Sequence, residues 1–266
     1  MIIGVVKMKS YKKFLILFLI SFLIISISNN VNATNKNIVL KFEKEENNIV
    51  VTTKHAILFI EKDYLSEKEI YQIAQKIETG INKIKNYLPK DYIIRDLSNF
   101  KIRYDIKSGK FISSAGNGYV RLSFVKEGWA PYIHETVHAI SIYNNNRKWL
   151  SEGLAVYLND KLNGYPSFPN YGKDLDKLSK QIINSKKYKD VITFKNKFTT
   201  SLVGQKKRKA FYTVSGSLVK YLLNEYGKEK VLKLLLQHDS QDVLKKDFKE
   251  IKKEWVNHIN NIETNS

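Results

Sequence analysis

Cysteine is missing from all 266 residues, so the chain forms no disulfide, offers no thiolate to a metal and uses no cysteine nucleophile. Any metal it holds must be bound through histidine and carboxylate, and an exported chain with no thiol to oxidise is self-consistent. No cysteine follows the apolar N-terminal run either, which excludes a lipid anchor on a processed N-terminal cysteine. That run falls short of the roughly 20 apolar residues that a membrane span needs. Acidic residues are scarce: 26 Asp and Glu stand against 45 Lys and Arg, for a formal charge of +19. The basic residues do not cluster with aromatics in the pattern of a nucleic-acid module, so nucleic acid is not an expected partner. Internal repeats are also missing. What is present suits a globular protein: 43% hydrophobic and 27% charged residues, enough for a sizeable core in one domain or two small lobes sharing a cleft.

Lys7, Lys9, Lys12 and Lys13 lead into the apolar stretch Phe14 to Ile27, and Val31-Asn32-Ala33 follows with small residues at the positions a signal peptidase reads. This predicts a signal peptide over residues 1–33, cleavage after Ala33 and secretion; the alternative is an uncleaved anchor that tethers the chain to a membrane. Removing residues 1–33 takes away four lysines and no acid, which leaves +15 on the mature chain. That surplus is either solvated lysine spread evenly or an attraction to an anionic cell wall or membrane surface. Its densest run is Lys206-Lys207-Arg208-Lys209.

Short β-branched runs predict strands at Ile38-Val39-Leu40, Ile49-Val50-Val51 and Ala56 to Ile60. Ser66 and Glu69 form a capping box, and Ile70, Ile73, Ala74, Ile77, Ile81 and Ile84 recur at helical spacing up to Leu88-Pro89. Phe100, Ile102, Tyr104 and Ile106 alternate as in a strand. Val120, Leu122 and Phe124 do so again, after a Ser113 to Gly118 segment that reads as a flexible loop. From residue 130 the pattern is helical, with helices expected at about 131–143, from near 150, and over about 173–185, 208–226 and 228–238. A last one is marked by Leu244, Phe248, Ile251, Trp255, Ile259 and Ile262. The predicted class is α+β, with a β-rich lobe at 34–143 and a helical lobe at 144–266.

His134-Glu135-Thr136-Val137-His138 is the sharpest signal. Two histidines four apart on a helix project from one face, so both imidazoles reach a single ion, and the glutamate between them stands beside a metal-activated water. Trp149-Leu150-Ser151-Glu152-Gly153-Leu154-Ala155 follows, with Glu152 fourteen residues beyond His138. A short helical hairpin would return it over the histidine face, and the small Gly153 and Ala155 suit close packing of those two helices.

This segment resembles the Trp-Leu-x-Glu-Gly-Phe-Ala stretch of the aminopeptidase-N family and is closer still to the peptidase-MA-like gluzincins, in the superfamily that includes thermolysin. The resemblance spans about residues 119–236. It implies a zincin-like fold, one Zn2+ held by His134, His138 and Glu152, and Glu135 as general base of a zinc metallopeptidase. Phe211 to Leu222 is similar to the helix that follows the metal site in these families, where a tyrosine donates to the oxyanion. Tyr212 matches that tyrosine, with Tyr221 second. The resemblance also implies that residues 119–125 carry an edge strand, Val120 to Phe124, that pairs with extended substrate. Val156 stands where thermolysin-like enzymes have an aspartate behind a histidine ligand, so no partner for the imidazoles is identified.

The expected activity is hydrolysis of an extracellular peptide or protein. No Gly-x-Met-Glu-Asn stretch for gripping a free N-terminus is present, which favours an endopeptidase. The rival readings are a catalytically silent zincin-fold module that binds cell wall or host surface, and a zinc hydrolase with a non-peptide substrate. His55, His238 and His258 lack ligand-like spacing and are expected to be structural or exposed.

Overall fold

The computed structural model describes residues 41–94, 96–185, 190–194, 204–236 and 238–263. The expected signal peptide at 1–33 and the strand expected at Ile38 to Leu40 lie outside these residues. Among the described residues six strands form one sheet: β1 Lys41–Lys44, β2 Asn48–Thr52, β3 Ala56–Glu61, β4 Ile102–Ile106, β5 Ser114–Gly116 and β6 Tyr119–Leu122. Their order is β1-β2-β3-β4-β6-β5. The pairs β3–β4 and β4–β6 are parallel and the others antiparallel.

The described helices are α1 Glu67–Tyr87, α2 Tyr132–Ile140, α3 Lys148–Lys161, α4 Leu175–Asn184, α5 Gln205–Tyr226, α6 Lys228–Leu235, α7 Ser240–Leu244 and α8 Phe248–Asn261. All described strands therefore precede α2, and after it the described regular structure is helical. That is the expected α+β arrangement, with a mixed sheet.

α1 starts where its capping box requires. The Ser66 side chain accepts from the Glu69 backbone N–H, and the Glu69 carboxylate accepts from the Ser66 backbone N–H at 2.8 Å. Its isoleucine stripe (Ile70, Ile73, Ile77, Ile81, Ile84) is buried in one core with Leu58 and Ile60 of β3, Tyr104 of β4 and Val120 of β6. Gly80 on this helix leaves room for α2, because a Cβ there would lie 2.7 Å from Ile133 Cδ1. The helical half closes through a buried polar link: Trp255 Nε1 of α8 donates to Ser217 Oγ of α5, which donates to Asp176 of α4.

Two expectations about the sheet are corrected. The Ser113 to Gly118 segment is not simply a loop, for it contains β5 and a two-residue hairpin turn. Asn117 and Gly118 both have positive φ (54° and 81°), the backbone a tight turn between twisted antiparallel strands demands and an Asn-Gly pair supplies readily. Consequently β6 is not an edge strand. It is paired on both sides, by β4 and β5, and the outer edge belongs to β5. Phe124, at φ 59°, has already left the strand.

Candidate metal centre

The histidine helix is held from below by its own threonine. Thr136 Oγ1 donates to the Tyr132 carbonyl at 2.5 Å and lies 2.7 Å from the Tyr104 hydroxyl of β4, so the central sheet fixes the height and rotation of α2. Pro131 occupies the N-cap position, and its carbonyl accepts the first helical bond from Glu135 N. Both histidines thus sit inside regular helix.

The helix ends at Ile140, three residues before the expected boundary. Ile94 N–H donates to the Ile140 carbonyl and Ile142 N–H to that of Tyr92, while Ser141 bridges Ile93. From Ser141 onward the backbone is extended, and β-branched Ile142 joins this short pairing. Asn144 caps the turn that begins the next helix. Its Oδ1 accepts from the N–H groups of Asn146 and Arg147, and its Nδ2 donates to the Leu235 carbonyl. The early exit leaves Tyr143 beside Glu152.

α3 returns Glu152 to the histidine face. Three ligand atoms converge: His134 Nε2 and His138 Nε2 are 3.1 Å apart, and Glu152 Oε2 lies 3.1 Å from His138 Nε2 and 3.5 Å from His134 Nε2. In a tetrahedral site with bonds of about 2.0–2.2 Å, ligand atoms stand roughly 3.3–3.6 Å apart. The observed triangle lies within a few tenths of an ångström of that, and its atoms are two imidazole nitrogens and one carboxylate oxygen. These three residues are close enough together to hold a metal ion, and the donor set and spacing fit a divalent cation.

Gly153 does make a close helix contact, though with a different partner from the one expected. A Cβ there would lie 2.4 Å from the Ser215 carbonyl and 2.7 Å from Val219 Cγ2, both on α5. Gly216 of α5 accommodates Val156 in return, at 2.6 Å from where its own Cβ would be. Val156 therefore serves the α3–α5 interface. His134 Nδ1 is buried and has no hydrogen-bond partner among the described residues.

Charge follows the geometry. Burial alone would raise the Glu152 carboxyl, but His138 and His134 outweigh it and hold the group well below the usual glutamate range. Burial works against the His138 imidazolium, yet the Glu152 charge and hydrogen bond win and raise its pKa. Glu135 is also buried; burial raises its pKa, opposed by the two histidines and reinforced by Glu152. A carboxyl raised in this way holds a proton more readily than an ordinary glutamate.

Tyr212 is brought to this site. Its ring stacks on His134 with centroids 6.0 Å apart and planes 22° from parallel. Burial first, and then the Glu152 charge, push its phenol well above the usual range, so the hydroxyl stays protonated and able to donate. Tyr221 is elsewhere, its ring 5.2 Å from His258. His55 is buried, with Nδ1 2.5 Å from Glu78 Oε1, and is structural as expected.

One site residue escaped the sequence reading. The Tyr143 hydroxyl donates to Glu152 Oε1 at 2.9 Å, and its ring packs edge-on against His138 at 5.3 Å. With Oε1 engaged, Glu152 presents Oε2 alone to the histidines. The only available signal was the Ile140-Ser141-Ile142 run, which disfavours a helix continuing to residue 143. A cavity of about 440 Å³ lies elsewhere, lined by Asn144, Trp149, Phe194, Leu222, Phe248 and Ile251 among others, and includes none of the three convergent residues.

In comparisons with protein-family models, curated proteins and solved structures, nothing matches this chain.

Proposed function

We propose that the chain is a secreted zinc-dependent peptidase of the gluzincin type, with a zincin-like fold, acting as an endopeptidase on extracellular peptide or protein. The observation that carries this reading is the convergence of His134, His138 and Glu152 at 3.1–3.5 Å beside the buried carboxyl of Glu135. Two imidazoles and one carboxylate form a donor set typical of catalytic zinc, which keeps a further position open. When bound, zinc supplies Lewis-acid charge that acidifies a water and polarises a carbonyl.

The chain's own residues do the rest. Glu135 takes the proton of the attacking water and returns it to the departing amine. Tyr212, protonated and stacked on His134, donates to the oxygen on which negative charge develops. Tyr143 keeps Glu152 from turning its second oxygen inward. The outer edge of β5, next to α2, offers backbone groups to an extended peptide.

The test is metal analysis of the mature chain beside Glu135→Gln, with both assayed on a diverse peptide pool. The expected outcome is one zinc per chain in each, and a loss of cleavage in the variant of about 10²–10⁴-fold. A variant that still cleaves like the wild type refutes Glu135 as the base. A wild-type chain that binds zinc and cleaves no peptide refutes the peptidase reading.

A further inference from the structure

Trp129 is 55% exposed and Tyr171 41% exposed, and they touch edge-to-face with centroids 6.1 Å apart. Two large rings left in water and in contact with each other form a patch whose apolar area is gained back only on binding. Both are held in place. Trp129 follows a tight turn in which its N–H donates to the Phe124 carbonyl and Gly128 N–H to that of Val125. Tyr171 lies in the loop between α3 and α4, where its N–H donates to the Ser167 carbonyl and the neighbouring Asn170 donates to both Asp160 and the Lys173 carbonyl.

The patch is connected to the metal centre. Trp129 stands five residues before His134, so their Cα atoms are at most about 17 Å apart. The Tyr171 loop also carries Phe168, whose ring meets Tyr212 at 5.5 Å, and Tyr212 in turn stacks on His134. Tyr165 of the same loop packs on Tyr132, the first residue of α2. The loop therefore ties α2 to α5 and sets its outermost ring against Trp129. On the α5 side the dense basic run begins the helix: Lys209 Nζ lies 5.3 Å from the Tyr171 ring and the Arg208 guanidinium 5.8 Å from that of Phe168. Lys206 and Lys209 are exposed.

We infer that Trp129 and Tyr171 form a substrate subsite that takes a bulky apolar side chain of an extended peptide, while Lys209 favours an acidic residue beside it. This rests on the peptidase reading. Aromatic area supplies the affinity, and the cation supplies discrimination against basic sequences.

Trp129 also makes the inference testable without turnover, because Trp149 and Trp255 are only 5% and 0% exposed. Acrylamide quenching of tryptophan emission in the Glu135→Gln chain therefore reports mainly on Trp129. Tryptophan-free peptides carrying a Phe-Glu pair should shield it, and Ala-Lys counterparts should not. In the zinc-loaded enzyme, Trp129→Ala and Tyr171→Ala should raise KM for Phe-Glu peptides about tenfold and change kcat far less. Lys209→Glu should shift the preference from acidic towards basic neighbours. Cleavage of peptides without Phe-Glu preference and without shielding overturns the subsite, and so does shielding by cell-wall glycan fragments in place of peptides. Shielding of the Glu135→Gln chain by Phe-Glu peptides that the zinc-loaded wild type fails to cleave upholds a peptide-binding site at Trp129 and Tyr171 and refutes the peptidase reading.

Discussion

Replacing Tyr143 by phenylalanine should weaken metal binding while leaving the fold in place. The substitution keeps the ring against His138 and removes only the hydroxyl that donates to Glu152 Oε1 at 2.9 Å. Glu152 is 5% exposed, so water has little access to take over the lost bond. A hydrogen bond to a charged acceptor contributes about 1.5–3 kcal/mol, and about 1.4 kcal/mol corresponds to a factor of ten. With Oε1 released, the carboxylate is free to turn, and the cost of orienting it moves to the metal-binding step. The expected loss is about 10–100-fold in affinity, the range seen when a ligand's hydrogen-bonding partner is removed. Competition against a chromophoric zinc chelator at fixed pH measures this directly, with Tyr221→Phe as a control far from the site. The Co2+-substituted chain adds a spectroscopic measure, since a carboxylate that swings to bind through both oxygens lowers the visible-band intensity of a four-coordinate ion. An affinity within twofold of wild type, with an unchanged Co2+ spectrum, would refute the orienting role.

Three further outcomes are expected. Gly153→Ala places a methyl 2.4 Å from the Ser215 carbonyl, so α3 and α5 must part; a cost of about 1–3 kcal/mol should appear as a Tm lowered by several degrees, whereas Gly204→Ala, which meets nothing within 4 Å among the described residues, should melt much closer to wild type. Glu78 governs acid stability away from the metal site. Burial pushes its pKa up, but bonds from Thr53 and His55 outweigh this and depress it. Its contribution is therefore present above the ordinary glutamate value of about 4.3 and lost as pH falls through the lower folded value. Denaturant titrations below about pH 4.3 should show that loss in the wild type and a flatter slope in Glu78→Gln; parallel slopes would contradict the assignment. Finally, Thr136→Val should misplace α2 by removing its link to Tyr104 and reduce zinc affinity, with equilibrium dialysis as the readout.

How much of this was legible beforehand depends on how local each cause is. The capping box of α1, its isoleucine stripe and the i, i+4 pairing of His134 and His138 are written within a few neighbouring residues, and the structure reproduces them. The Asn117-Gly118 hairpin was equally local, but the surrounding small residues made it read as a loop. Glu152 could be proposed from a motif fourteen residues away because a short helical hairpin leaves little freedom in where that position lands. The exit from α2 at Ile140 had only the faint local signal of the Ile140-Ser141-Ile142 run, since it depends on pairing with residues 92–94, some fifty positions earlier in the chain.

By itself, then, the sequence determined which side chains are available and which of them a helix must put on one face, because helical periodicity is a property of adjacent peptide units. It also determined that no thiol can take part. Only the tertiary structure decided that Tyr143 would clamp Glu152, that Gly153 would serve α5 rather than α2, and that β5 rather than β6 would be the open edge. Those outcomes come from packing between segments distant in the chain, and the energy of such contacts depends on shapes and spacings that no single stretch of residues encodes.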